Sequence, residues 1–199
     1  RRSSGLIFSG IYNTNSGVNN LNQFIQAEKI TKDINPTYGS IQKLHARNTD
    51  LIVFCEDKVL KVLANKDALF EAGGSAQLTA TNRVLGQAIP FVGEYGISNN
   101  PESFASYAFR VYFADRNRGA ILRLSRDGLT PISDNGMRDF FKDTLPGSTL
   151  VLGSYDDSKG LYNLTLKNQA TGLTKAVRSV PITKTVSFDE KVNGFPSFK

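Results

Sequence analysis

A single phrase recurs along this chain: a short apolar run, a charged corner, and a second apolar run. Its clearest copy opens with Phe109-Arg110-Val111-Tyr112-Phe113-Ala114, whose alternation and β-branched and aromatic content predict a half-buried strand. The corner Asp115-Arg116-Asn117-Arg118-Gly119 ends on the residue that most readily takes positive φ. Residues 120–125 return, Asp127-Gly128 turns again, and residues 129–132 add a short strand. Pro131 cannot donate to a ladder, so that strand belongs at an edge. Three strands in a meander are expected here.

Three further copies follow the same plan. Residues 51–54 and 59–63 flank Glu56-Asp57-Lys58, and residues 150–155 and 161–166 flank Asp156-Asp157-Ser158-Lys159-Gly160. The last runs from residue 176 through residue 188 into the turn at 189–194. The later spacings resemble the roughly 40–45 residues of a propeller blade. The expected fold is mostly β, built of antiparallel hairpins and meanders, β-propeller-like or part of a propeller, with one or two short helices. Residues 1–50, rich in Asn, Ser, Thr and Gly, read as a loop-rich entry with extended pieces at 5–12 and 40–44. Residues 51–199 carry the hairpin units, with a further candidate strand at 76–85 after Gly73-Gly74-Ser75. A helix is expected at 137–145, capped near Asp134-Asn135-Gly136 and stopped by Pro146-Gly147. Pro101 opens a second short turn.

Charge narrows the function classes only slightly. The chain has 24 Lys and Arg against 18 Asp and Glu, a net +6, spread along its length. Arg116, Arg118, Arg123 and Arg126 form the densest group, beside Asp115 and Asp127, and read as a solvated hairpin. A nucleic-acid surface interleaving Arg110 to Arg126 with Tyr112 and Phe113 is disfavoured, because alternation sends aromatics and arginines to opposite faces. No apolar run approaches the roughly 20 residues that cross a bilayer, and Leu6-Ile7-Phe8 is too short for a signal-peptide core. Beginning Arg1-Arg2 without Met and stopping at Phe198-Lys199, the chain reads as part of a longer protein.

Candidate chemical residues are few. Cys55 is the only cysteine; within an apolar run it reads as a small buried hydrophobe. His45 is the only histidine, which excludes His-rich metal sites, and no Gly-x-Ser-x-Gly pattern supplies it with a nucleophile. Asp156-Asp157-Ser158 and Asp189-Glu190 have oxygens for calcium, but Asp at the start of a turn explains them more simply. Asp115, Asp127, Asp156 and Asp157 are the carboxylates available to a glycoside-cleaving pair, and all lie at turns. Gly73-Gly74 lacks the lysine and strand–helix setting of a phosphate cradle. No catalytic, cofactor-binding or metal-binding residue is assigned, and no cofactor is expected.

Longer stretches carry a resemblance. Leu6-Ile-Phe-Ser-Gly-Ile-Tyr-Asn13 with Gly17-Val-Asn-Asn-Leu-Asn22, Tyr95-Gly-Ile-Ser-Asn-Asn-Pro-Glu-Ser-Phe104, and Leu129-Thr-Pro-Ile-Ser-Asp-Asn-Gly-Met-Arg-Asp-Phe-Phe141 are similar to one family. The chain resembles the muzzle, or "stabilization", proteins (tail nozzles) of crAss-like and related short-tailed bacteriophages. The resemblance implies a virion structural protein of the tail, made in the host cytoplasm, with copies in a ring around the DNA exit channel. Its implied partners are further copies, other tail and portal-proximal proteins, the rest of the parent chain, and DNA in transient passage. It implies a propeller-like platform and no catalytic residue. Two other readings come from the residues alone: a propeller-type binding module for a host receptor or another protein, and a tail-associated carbohydrate-cleaving enzyme.

Overall fold

The computed structural model describes residues 3–27, 29–47, 50–70, 76–168 and 182–196, with the backbone alone at 65–70, 76–83 and 182. The chain forms two compact units, 1–90 and 91–199. Both are built from antiparallel strands, as the alternation requires. The expected division at residue 50 is therefore replaced by one after Pro90. The reason is register: the strand before position 50 pairs with the one after it, Ala46 opposite Leu51, so one sheet straddles the expected boundary.

In the first unit, β1 (Gly5–Ile7) pairs with β2 (Thr31–Asp33). β3 (Ile41–Arg47), β4 (Asp50–Cys55), β5 (Val59–Phe70) and β6 (Ala76–Pro90) form a four-stranded meander in that order. The hairpin expected around Glu56-Asp57-Lys58 is β4–β5, with Val53 opposite Leu60. β6 covers the strand expected at 76–85 and runs beyond it; Gly73-Gly74 lies outside the described residues. β4 is an unbroken apolar run because it is buried on both faces, from Ile52 through Cys55. Val53, Cys55, Leu60 and Val62 make one core face with Ile34.

In the second unit, β7 (Ala105–Tyr107), β8 (Arg110–Asp115), β9 (Ala120–Ser125) and β10 (Gly128–Pro131) form another meander, with Pro131 on its edge strand as expected. β11 (Ser148–Asp156), β12 (Leu161–Asn168) and β13 (Ile182–Asp189) make a three-stranded sheet. Of the expected fourth hairpin only the second strand is described: it lies in β13, which pairs with β12, Leu164 opposite Val186, while residues 176–178 lie outside the described residues. β8 is also not half-buried: Val111 through Asp115 are all buried, so both of its faces are covered.

α1 (Arg138–Thr144) falls where the helix was expected, with Phe141 and Leu145 fully buried one turn apart. Its N-terminal residue is preceded by Met137, which offers no side-chain cap; Asp134 closes a 3-10 turn over Ile132–Asp134 instead. Pro101–Ser103 is likewise a 3-10 turn, leading into β7. That turn presses on β11 at Gly153. A Cβ there would stand 2.0 Å from the Ser103 carbonyl oxygen and 2.8 Å from the Tyr162 hydroxyl, which itself donates to that carbonyl at 2.7 Å. Only a residue without a side chain permits this approach. Gly153→Ala is expected to cost about 1–3 kcal/mol by forcing the turn off the sheet. Denaturant unfolding checks this, and an unchanged midpoint would contradict the close packing.

Candidate functional site: a tyrosine stack closed by Glu190

Packing of the β7–β10 meander against the β11–β13 sheet places four tyrosines in one column. Tyr107 of β7 stacks on Tyr155 of β11 with centroids 4.4 Å apart, and Tyr155 on Tyr112 of β8 at 5.5 Å. Tyr112 stacks on Tyr162 of β12 at 5.0 Å. The three interplanar angles are 14°, 18° and 16°, so the rings are nearly parallel. Each such pair adds roughly 0.5–1.5 kcal/mol to the burial of its surface. The column begins at a ring 40% exposed and ends on one that is buried.

Glu190, just past β13, closes the column. Its carboxylate accepts a hydrogen bond from the Tyr112 hydroxyl, meets Arg110 Nη1 at 2.7 Å and meets Arg123 Nη1 at 3.3 Å. The Glu190 side chain is only 13% exposed. Burying a carboxylate is costly unless donors replace its water, and three donors do so here. Burial, then the hydrogen bond and charge of Glu190, push the Tyr112 hydroxyl well above the ordinary phenol range. Burial raises Tyr162 as well, and burial followed by the Glu190 charge raises Tyr155.

This arrangement corrects the expectation that arginines and aromatics part to opposite faces. Arg110 and Tyr112 are two apart on one strand and share a face, and Arg123 lies opposite Tyr112 across the ladder. Arg123 is not a solvated hairpin cation. Arg126 sits over the Phe109 ring at 4.9 Å, Arg116 donates to the Pro146 carbonyl, and Arg118 pairs with Asp115.

The other candidates are held apart. Asp115 is wholly buried. It accepts from the amides of Gly96 and Arg118, from Ser98 Oγ at 2.8 Å and from Arg118 Nη1 at 3.2 Å. Its partner Ser98 takes positive φ, a strained backbone state that these bonds hold in place. Asp156 accepts from Ser158 Oγ and from the Ser158 and Lys159 amides, which hold its carboxyl below the usual range and make it a turn residue. Asp157 and Asp127 are exposed. Asp189 accepts from the Lys191 amide at 2.8 Å. Burial, then the charges of Arg47 and Lys43, lower His45 from its ordinary value. Cys55 is buried, and burial followed by the Glu56 charge pushes its thiol up to about 11, leaving almost no thiolate at neutral pH. Among the described residues no three His, Cys, Asp or Glu groups gather as a metal site. None of their helices is long and apolar enough to cross a membrane.

Nothing local in the sequence marks the Glu190 clasp, since its partner Tyr112 lies 78 residues away. The shared parity of Arg110 and Tyr112 is the one signal that was there to use. With its carboxylate already met by two guanidiniums and a phenol, this site is suited to holding and stacking. The rim of Tyr107, Phe109 and Arg110 is the part open to solvent.

Glu190→Ala is expected to cost roughly 2–3 kcal/mol by stranding charged donors, and Tyr112→Phe about 1 kcal/mol. Equal, near-zero losses in urea unfolding would refute the clasp. A pH dependence follows from the tyrosines. The unfolded chain releases phenolic protons near pH 10, whereas the folded chain retains them, so stability falls as pH rises through and above that value. Thermal melts between about pH 9 and 11 check this, and Tyr162→Phe is expected to flatten the decline.

Compared with protein-family models and with curated proteins, the chain matches none.

Proposed function

We propose that this chain is a structural segment of a bacteriophage tail, a muzzle or nozzle element whose copies assemble in a ring around the DNA exit channel. The observation that carries the proposal is the surface of the loop-rich entry. Ile7, Ile11, Tyr12, Val18, Leu21 and Phe24 are large apolar residues, all more than two-fifths exposed within a stretch of eighteen. Such a concentration marks an interaction surface in proteins that assemble. Phrases in the sequence that resemble muzzle proteins point to which assembly this is. The two four-stranded meanders, β3–β6 and β7–β10, have the make-up of propeller blades and support a propeller-like platform.

One observation favours a second reading, a binding module for a host receptor or another protein. The exposed rim of Tyr107, Phe109 and Arg110 has the residue types that dominate binding energy at interfaces. A carbohydrate-cleaving role gains no comparable support, since Asp156 is engaged with Ser158 and Lys159.

Immunogold labelling of purified phage particles with an antibody to this chain tests the first reading. Gold at the distal tail is the expected result; label confined to host cytoplasm would reject it. The double variant Leu21→Glu, Phe24→Glu is expected to lower the oligomer mass of the purified chain in native mass spectrometry.

A further inference from the structure

The sheet β11–β13 has one face in the core and one in solvent. Tyr162, Leu164, Leu166, Val186 and Phe188 are buried on the first. The register sets out the second in four rows, each reading across β11, β12 and β13. Leu150, Lys167 and Thr183 form one end row, and Asp156, Leu161 and Asp189 the other, about 20 Å away along β12. The rows between them carry no charge: Leu152, Thr165 and Thr185, then Ser154, Asn163 and Ser187. Leu150 is 38% exposed and Leu152 41%. We propose that this face docks on the same face of a second copy, the two sheets stacked about a two-fold axis with their strands antiparallel. The proposal does not rest on the tail reading.

Charge selects both the partner and the orientation. A two-fold axis across the strands lays each end row on the opposite end row of the other copy. Lys167 then lies over the second copy's Leu161, between that copy's two aspartates. An axis along the strands would instead set lysine on lysine and aspartates on aspartates, and like charges repel. These charges are available. Among the described residues no ion pair engages Lys167, Asp156 or Asp189, and each carboxylate bonds through Oδ1 alone within its own turn. Lys159 and Lys191 belong to the turns beyond the ladder and hold no register position on the face. Each copy thus carries both halves of the match, as an isologous contact requires.

The middle of the face also matches itself. Hydroxyl and amide groups both donate and accept, so a surface of Thr, Ser and Asn meets an identical one without a surplus of either. The Thr165 and Thr185 hydroxyls bond one another at 3.0 Å and Ser187 donates to Asn163 at 2.6 Å, so these side chains are ordered before a partner arrives. Leu150 and Leu152 supply apolar area that association removes from water. Three strands about 4.8 Å apart make a small face, so the contact belongs to the weak class and forms at high protein concentration.

The test is sedimentation velocity over a concentration series on the whole chain carrying Leu21→Glu and Phe24→Glu, so that the loop-rich entry does not contribute. Lys167→Glu is expected to weaken self-association about tenfold, because like charges then meet. The pair Asp156→Lys, Asp189→Lys is expected to do the same, and an equimolar mixture of the two variants to restore association, since every junction again joins opposite charges. Leu152→Lys, which touches neither turn, is expected to weaken it about tenfold as well by placing a charge in the middle of the face. A chain that stays monomeric at every concentration, or association that Lys167→Glu or Leu152→Lys leaves unchanged, would overturn the proposal. So would two charge variants that melt as the parent does, lose association singly and fail to recover it on mixing.

Discussion

A carboxylate withdrawn from water must be met by donors, and in the second unit that demand is satisfied at Glu190. Its three donors come from β8 and β9, while Glu190 itself follows β13. One acidic side chain therefore ties the meander β7–β10 to the sheet β11–β13, whose apolar residues already share a core with Tyr112, Ala114 and Ile121. The tyrosine column lies along the same seam and adds stacked area to it. Removing the carboxylate would leave Arg123 worse placed than it already is, since its Nε is a buried nitrogen without a partner. The seam is fixed in register because a slip by one residue would turn Tyr112 and Arg110 to the other face.

Burial on both faces gives the unit its second constraint. β8 and β9 have no wet side to receive polar groups, so the turn joining them must satisfy its own. Asp115 does this with two backbone amides, a hydroxyl and a guanidinium. The strained Ser98 is part of that arrangement, donating to Asp115 and accepting from the Asn117 amide. Gly119 and Gly153 serve the same close packing from the steric side, admitting backbone where a methyl group would collide. These are costs in chain entropy that the dense core offsets.

This explains what was legible in the sequence. Turns and strands were readable because their signals are local: Asp and Gly at the corners, β-branched and aromatic residues between them. Hence β4–β5, the β8–β10 meander, β11–β12 and α1 appear where the pattern placed them. What depends on partners far along the chain was not readable. Alternation at Arg110 to Ala114 fits a half-buried strand and a fully buried one equally, and only tertiary packing decides between them. Asp115 was read as an ordinary turn residue, which it is, but nothing local marked its burial. Pairing of β13 with β12 likewise rests on register across the core.

The same logic separates structural groups from those left for binding. Glu190, Asp115 and Asp156 are acidic groups that a reader of sequence would test first for chemistry; the first two have their oxygens committed to holding the fold, and Asp156 has Oδ1 committed to its own turn. Exposed apolar and aromatic side chains lie elsewhere: those between residues 7 and 24, and the rim at Tyr107 and Phe109. The acids at Glu190 and Asp115 serve the architecture of the second unit, and the surface proposed above for assembly is apolar and aromatic. On the proposed reading, a partner gains most by covering those exposed apolar and aromatic side chains, whose burial is favourable and leaves no charge stranded.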